Sequence, residues 1–287
     1  MIDFLKVILR GFSQVMLQNN STTGLLFLIG VFYNSWVMGL GALIGLFAST
    51  IAAFILNYKK QDVDNGLYGF NGVLVGISLL FFFKISILLV LLIIFGSVIS
   101  SLIMDYMRRK KLAPYTFPFV VSSWLLIALI KYLNLVPSQP QELAEAMSLD
   151  IASSLSYGFG QVMFQASMIS GITFFIAILI NSRKYAVYAL LGSAVCVLVT
   201  FGLSFPLNLV NTGIFGFNGV LCGIAFADEH KHSLSYATIS IILSVFIVYG
   251  MIALNLPALT APFVLATWAT LGLRKIGYNA QHHFVRK

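Results

Sequence analysis

Eight neutral polar residues stand inside otherwise apolar sequence: Gln14, Gln18, Asn71, Thr116, Gln161, Gln165, Asn218 and Thr260. Amides and hydroxyls make poor nucleophiles and poor proton carriers unless an acid or base activates them, and none adjoins them in the motifs that hold them. They can exchange hydrogen bonds with a small neutral solute. Enzymatic signatures are missing: the chain has no Gly-x-Ser-x-Gly elbow, no P-loop, no His-Glu-x-x-His and no acidic metal pair in an apolar stretch. His230 and His232 fall in the polar turn 228–233, and His282 and His283 in the C-terminal tail. They read as loop histidines. Cys196 and Cys222 lie in apolar runs, which gives neither a disulfide framework nor metal-ligand spacing. No catalytic residue, metal or cofactor is expected. The sequon Asn20-Ser21-Thr22 sits between apolar segments and carries little weight.

The elements that must hold these groups are membrane helices. Of 287 residues, 59% are apolar and 9% charged, with mean hydropathy +0.95, against about 45–50% and about 25% in soluble domains. Residues 11–58, 151–182, 185–227 and 233–273 carry no charge, and about 20 apolar residues cross a bilayer. The fold class expected is therefore an all-α polytopic membrane protein with the lipid bilayer as its surroundings. The net charge of +8 comes from short clusters at the ends of apolar runs, such as Lys59-Lys60, Arg108 to Lys111, Arg183-Lys184 and Arg274-Lys275. That pattern sets topology and excludes a basic groove for nucleic acid. Residues Met1 to Phe12 lack a cleavage site, so no removable signal peptide is expected.

The chain repeats itself. Residues 68–78 recur as 215–225, eight of eleven positions identical at an offset of 147. Phe12 to Gln18 recurs as Phe159 to Gln165 at the same offset, and Thr116 to Trp124 as Thr260 to Trp268 at 144. Two homologous halves follow, 1–133 and 151–287, joined by an acidic, lysine-free linker over 134–150. Helices are expected near 4–18, 22–33, 37–57, 85–111 and 117–132, and near 151–166, 170–182, 185–204, 234–255 and 262–275. The glycine-rich segments 66–82 and 213–227 are too short to cross and are expected as re-entrant half-helices that line a cavity, since lipid cannot satisfy their backbone. Phe70, Asn71, Phe217 and Asn218 support them. Five helices per half make the halves inverted, with a pore along their pseudo-two-fold interface. With both termini cytoplasmic, eleven Lys and Arg fall inside. Six fall outside: Lys59, Lys60, Lys84, Lys131, Arg183 and Lys184. This follows the positive-inside rule. The compact chain suggests a bacterial inner-membrane protein.

These motifs resemble the urea transporter family over essentially the whole length. The family pattern shows in Gln14-Val15 and Gln161-Val162, in Gly66-Leu67-Tyr68-Gly69-Phe70-Asn71 and Gly213-Ile214-Phe215-Gly216-Phe217-Asn218, and in Thr116-Phe117-Pro118-Phe119 and Thr260-Ala261-Pro262-Phe263. The resemblance implies a homotrimer with one pore per protomer, and urea passing through a flat slot. It implies Leu17, Leu74, Phe164 and Leu221 as slot residues, Gln14 and Gln161 as pore-mouth acceptors, and Thr116 and Thr260 as mid-filter hydroxyls. Where this chain has Leu17, an aromatic is common in the family. Planar, neutral urea loses several kcal/mol on dehydration without new partners, and a file of oxygen acceptors returns much of that. With no charge in the spans to couple an ion, transport is expected to be passive. The alternatives are the same fold carrying ammonia, a short amide or water, a membrane-embedded enzyme, or a helical scaffold.

Overall fold

The computed structural model describes residues 4–140 and 146–285, with side chains as far as Ile276. Glu142 and Glu145 of the linker, and the side chains of His282, His283, Arg286 and Lys287, lie outside the described residues. Fourteen α-helices run through the described residues. The first seven are α1 (Phe4–Gln14), α2 (Ser21–Asn34), α3 (Trp36–Ile55), α4 (Lys60–Asp64), α5 (Gly69–Phe82), α6 (Ile87–Arg109) and α7 (Phe117–Leu133). The second seven are α8 (Ile151–Gly160), α9 (Met168–Asn181), α10 (Arg183–Gly202), α11 (Leu207–Asn211), α12 (Gly216–Ala225), α13 (Ser233–Ala253) and α14 (Ala261–Val285). One isolated antiparallel bridge, Phe83 with Ser138, is the β structure among the described residues. Helices α3, α6, α10 and α13 are each long and apolar enough to cross a membrane, and α8 with α9 forms a further candidate bent by 77°. The class is a polytopic helical membrane protein.

Each repeat holds seven helices where five and a half were expected. The addition is a five-residue helix, α4 or α11, too short to show an apolar period. Two expected helices also stop early. The first ends at Gln14 instead of residue 18, and the eighth at Gly160, followed by a 3₁₀ turn over Gln161–Met163. Leu17 and Phe164 carry φ of 58° and 59°, a left-handed conformation that ends a helix and costs an L side chain roughly 1–2 kcal/mol. Four further left-handed pairs recur at the repeat offsets of 147 and 144: Asn57 with Ser204, Gly66 with Gly213, Lys111 with Asn255, Tyr115 with Leu259.

The glycines of the repeated motif pack helices. A Cβ on Gly72 would lie 2.2 Å from the Gly45 carbonyl oxygen, and one on Gly76 1.9 Å from that of Gly41. Small residues let helix backbones touch in a membrane, where packing replaces the hydrophobic drive. Gly192 and Gly219 repeat the contact between α10 and α12. The expected cavity lining is therefore not the work of these glycines. Gly66 and Gly213, at φ of 73° and 72°, have no room for a side chain against Gly11 and against Tyr157 with Gly158.

These contacts also fix directions. Gly45 meets Gly72 and Gly41 meets Gly76, so α5 runs antiparallel to α3. The Ser101 hydroxyl donates to the Ser49 carbonyl oxygen at 3.1 Å and Ser97 lies by Gly45, so α6 runs parallel to α3. Both end together, where Arg108 bonds Asp62 at 2.7 Å. Segment 66–82 thus leads away from the Lys59-Lys60 end towards Lys84, whose N–H donates to the Pro137 carbonyl of the linker at 2.9 Å. Two expectations are corrected. The first glycine-rich segment does not return to the end it left, and Lys59-Lys60 shares an end with Arg108 to Lys111 instead of opposing it.

A candidate solute pathway between the repeats

The pathway begins where α1 and α8 stop. Gln14, 8% exposed, donates from Nε2 to the Asn65 carbonyl oxygen at 2.9 Å, and Gln161 donates to that of Thr212 at 3.1 Å. Each amide is pinned through its NH₂, and its Oε1 accepts no hydrogen bond among the described residues. The left-handed turn that follows displaces Leu17 and Phe164 from their helices. Around Phe164 lies a cavity of about 320 Å³, lined by Gln161, Phe164 and Phe217 of the second repeat and by Phe81 and Phe82 of the first. The Phe81 and Phe82 rings stand 5.1 and 6.5 Å from that of Phe164. Thr212, Leu259 and other apolar residues complete the wall, and none of the lining side chains is ionisable. Such a chamber suits a small solute with an apolar face and a hydrogen-bonding edge.

Inward of the mouths the repeats touch at Thr116 and Thr260, where the Thr260 hydroxyl donates to Thr116 Oγ1 at 2.7 Å. Twins that contact each other lie on a two-fold relation. Other contacts are exchanged across it. Trp124 donates to the Pro257 carbonyl and Trp268 to that of Ala113, both at 2.8 Å. Asn34 donates to Gln165 Oε1 at 2.9 Å, and Asn181 to Gln18 Oε1 at 2.7 Å. Phe27 meets its twin Phe174 edge-on at 5.1 Å.

Of the eight neutral polar residues, four hold helices: Gln18 and Gln165, and the two asparagines expected as support. Gln18 and Gln165 donate to the carbonyls of Met16 and Met163, and each accepts from an asparagine of the other repeat. Asn71 Oδ1 accepts from the Phe119 N–H at 3.1 Å, and Asn218 Oδ1 from that of Phe263 at 3.0 Å. Those amides are among the first N–H groups of α7 and α14, which no intrahelical carbonyl reaches, and Pro118 or Pro262 before them offers no donor. Phe70 is buried at 3%, whereas Phe217, expected as support, lines the cavity. Leu74 and Leu221 are fully buried on α5 and α12. Sequence reasoning missed Phe81, Phe82, Asn34 and Asn181. The asparagines recur at offset 147 and could have been found.

No charged side chain lines the cavity. Asp62, almost buried, holds Arg108 through two hydrogen bonds, and Asp105 pairs with Arg109 and accepts from the Tyr68 hydroxyl. In the turn after α12, Asp228 accepts from Arg274 at 2.5 Å and from the His230 N–H at 3.0 Å. Partial burial pushes the Asp228 carboxyl up, but these hydrogen bonds and the nearby positive charge outweigh it and hold it below its ordinary value. Lys184 donates to the Asp228 carbonyl at 2.7 Å and to Glu229 at 2.6 Å.

A helical membrane protein whose repeats meet around neutral amides, hydroxyls and phenyl rings belongs with the transporters and channels of small solutes. The family model for urea transporters matches residues 5–275, and the chain belongs to that family. It is 28% identical over 295 residues to urea transporter 1 of Rattus norvegicus, covering 93% of this chain and 76% of that protein. It is 27% identical to urea transporter 1 of Ovis aries over 297 residues, with the same coverage of each chain.

Proposed function

We propose that the chain is a passive urea channel whose path runs between its two repeats, 1–133 and 151–287, joined by the linker 134–150. Family membership supplies the solute, and the observation that carries the mechanism is the charge-free lining of the chamber around Gln161 and Phe164. A flat neutral solute slides between phenyl and leucyl faces while Gln14, Gln161, Thr116 and Thr260 accept its N–H groups. A hydrated ion finds no compensating charge. Selection is by shape and hydrogen-bond placement. Leu17 and Phe164, with Leu74 and Leu221, form the slot walls.

The repeats lie inverted in the bilayer, because α7 and α14 leave the Thr116–Thr260 pair in opposite directions. Trp268, seven residues into its helix, reaches Ala113 beside Lys111, and Trp124 reaches Pro257. Arg274 and its partner Asp228, with Lys184, therefore sit at the same end as Arg108. Lys84 and Lys131 remain at the other end with the acidic linker. The positive-inside rule puts the basic end in the cytoplasm, more decisively than the expected eleven against six. Both termini are cytoplasmic. The family resemblance implies a homotrimer with a path in each protomer.

Stopped-flow light scattering on proteoliposomes tests this with urea, acetamide, glycerol and water. Urea should equilibrate in either direction with no net current, unaffected by a protonophore or by replacing sodium with choline. Accumulation against a gradient driven by protons or sodium would overturn the channel reading. Flux of water or ammonia without urea would favour the same fold with another solute.

A further inference from the structure

A second, strongly apolar concavity shares no lining residue with the candidate chamber. It is a groove of about 680 Å³ between α3 and α6, lined by Ile44, Phe47, Ala48, Ile51, Ala52, Ile55, Leu56, Ile94 and Val98. Ala48 and Ala52 leave space among Phe47, Ile51 and Ile55, which are 37%, 46% and 72% exposed. From Ile44 to Leu56 the groove extends along roughly 18 Å of helix at about 1.5 Å per residue. That is close to one leaflet, about half of the roughly 30 Å hydrocarbon core.

The groove ends in positive charge. Helices α3 and α6 run in parallel register, Ser49 opposite Ser101, so Leu56 lies level with Arg108. Lys59 and Lys60 follow Leu56 within four residues, and Arg109, Lys110 and Lys111 close α6. Two acids at this end are occupied, Asp62 with Arg108 and Asp105 with Arg109, and the carboxylate of Asp64 makes no ion pair among the described residues, so the four lysines outnumber the one unpaired acid. No ion pair engages Lys59, Lys60, Lys110 or Lys111 among the described residues. The corresponding ends of α10 and α13 read Ser204-Phe205-Pro206-Leu207 and Leu254-Asn255-Leu256, without a cation. The repeat duplicates the helices but not this charge.

We propose that this groove is a binding site for an anionic glycerophospholipid, with one acyl chain along α3 and the headgroup phosphate at Lys59, Lys60 and Lys110. Depth, length and charge agree on that occupant. A lipid held there presses α3 onto α5 through the Gly45–Gly72 contact and so stabilises the fold. The site does not touch the solute path.

The test uses the full chain purified in detergent, with lipid retention followed by native mass spectrometry and thermal stability measured beside it. The wild type should retain phosphatidylglycerol over phosphatidylcholine and be stabilised by it. Each basic residue near an anionic surface contributes about five-fold in partition. Lys59→Gln with Lys60→Gln should therefore weaken phosphatidylglycerol on the order of 25-fold and leave phosphatidylcholine unchanged. Ala48→Phe with Ala52→Phe, which fills the groove, should lose both lipids. Equal retention of the two lipids by the wild type would overturn the proposal. So would a groove-filling variant that changes the oligomer mass while keeping its lipid, because a second copy of the chain would then cover the groove. The exposed lysine pair keeps the test decisive if the groove-filling variant fails to fold. Urea flux in phosphatidylcholine vesicles should stay at the wild-type value in the lysine variant, and that measurement stands or falls separately from the lipid result.

Discussion

Two hydroxyls on a two-fold relation satisfy each other through the 2.7 Å bond from Thr260 to Thr116. A urea N–H that inserts there displaces a bond worth about 0.5–1.5 kcal/mol net, whereas an N–H left without an acceptor loses about 1–3 kcal/mol. The second term is larger. Thr116→Val or Thr260→Val should therefore slow urea flux several-fold while assembly and melting temperature stay near wild type; unchanged flux in both would make the pair structural. Phe164 depends on neighbours from the other repeat. Its ring meets Phe81 and Phe82, so Phe81→Leu with Phe82→Leu should loosen that wall. Dimethylurea flux should gain on urea flux by a few-fold, and a parallel fall of both would show that only packing was lost.

Helices here are placed by remote side chains as much as by their own residues. The start of α7 is held by Asn71 on α5, and that of α14 by Asn218 on α12, across 48 and 45 residues of sequence. Both helices begin at the threonines proposed for the filter, so the asparagines set where those hydroxyls stand. Asn71→Ala or Asn218→Ala strands a buried N–H and should cost about 1–3 kcal/mol of stability. Because the threonine moves with its helix, urea flux should fall further than the lower melting temperature explains. Asn71→Asp keeps the acceptor and should restore flux more than Asn71→Ala does. No rescue would mean that the amide NH₂, 3.9 Å from Met104 Sδ, is the group that matters.

Across the whole molecule, charged side chains stay out of the candidate chamber. Ion pairs hold α4 to α6 and the turn after α12 to α10 and α14. The second clasp has a pH signature. Asp228 ionises below its ordinary value in the folded protein, so its contribution is complete above the ordinary carboxylate value of about 4 and is lost as pH falls through the depressed one. Melting temperatures of the wild type and Asp228→Asn should differ by a constant amount between about pH 5 and pH 8 and converge in stronger acid. A difference that vanished near neutrality would assign the clasp to another group. Nothing in the solute chamber titrates, so urea flux should be flat over the same range.

Membrane character, the repeat and the solute class were readable in the linear sequence because each rests on a local or periodic signal. Apolar runs bounded by basic clusters reveal spans whatever their arrangement, and motifs such as Gly69-Phe70-Asn71-Gly72 and its copy reveal duplication by comparison alone. The three-dimensional arrangement decided what each polar residue does. Gln14 and Gln18 are four residues apart and look alike in sequence. One is pinned to Asn65 at the mouth of the path, and the other staples the repeats through Asn181. Which of the two a glutamine becomes depends on partners 51 and 163 residues away, and no local pattern encodes that distance. The same holds for direction. Hydropathy shows that segment 66–82 is short and apolar, but only the touching backbones of Gly45 with Gly72 and Gly41 with Gly76 decide which way it runs, and so which lysines share an end with Arg108.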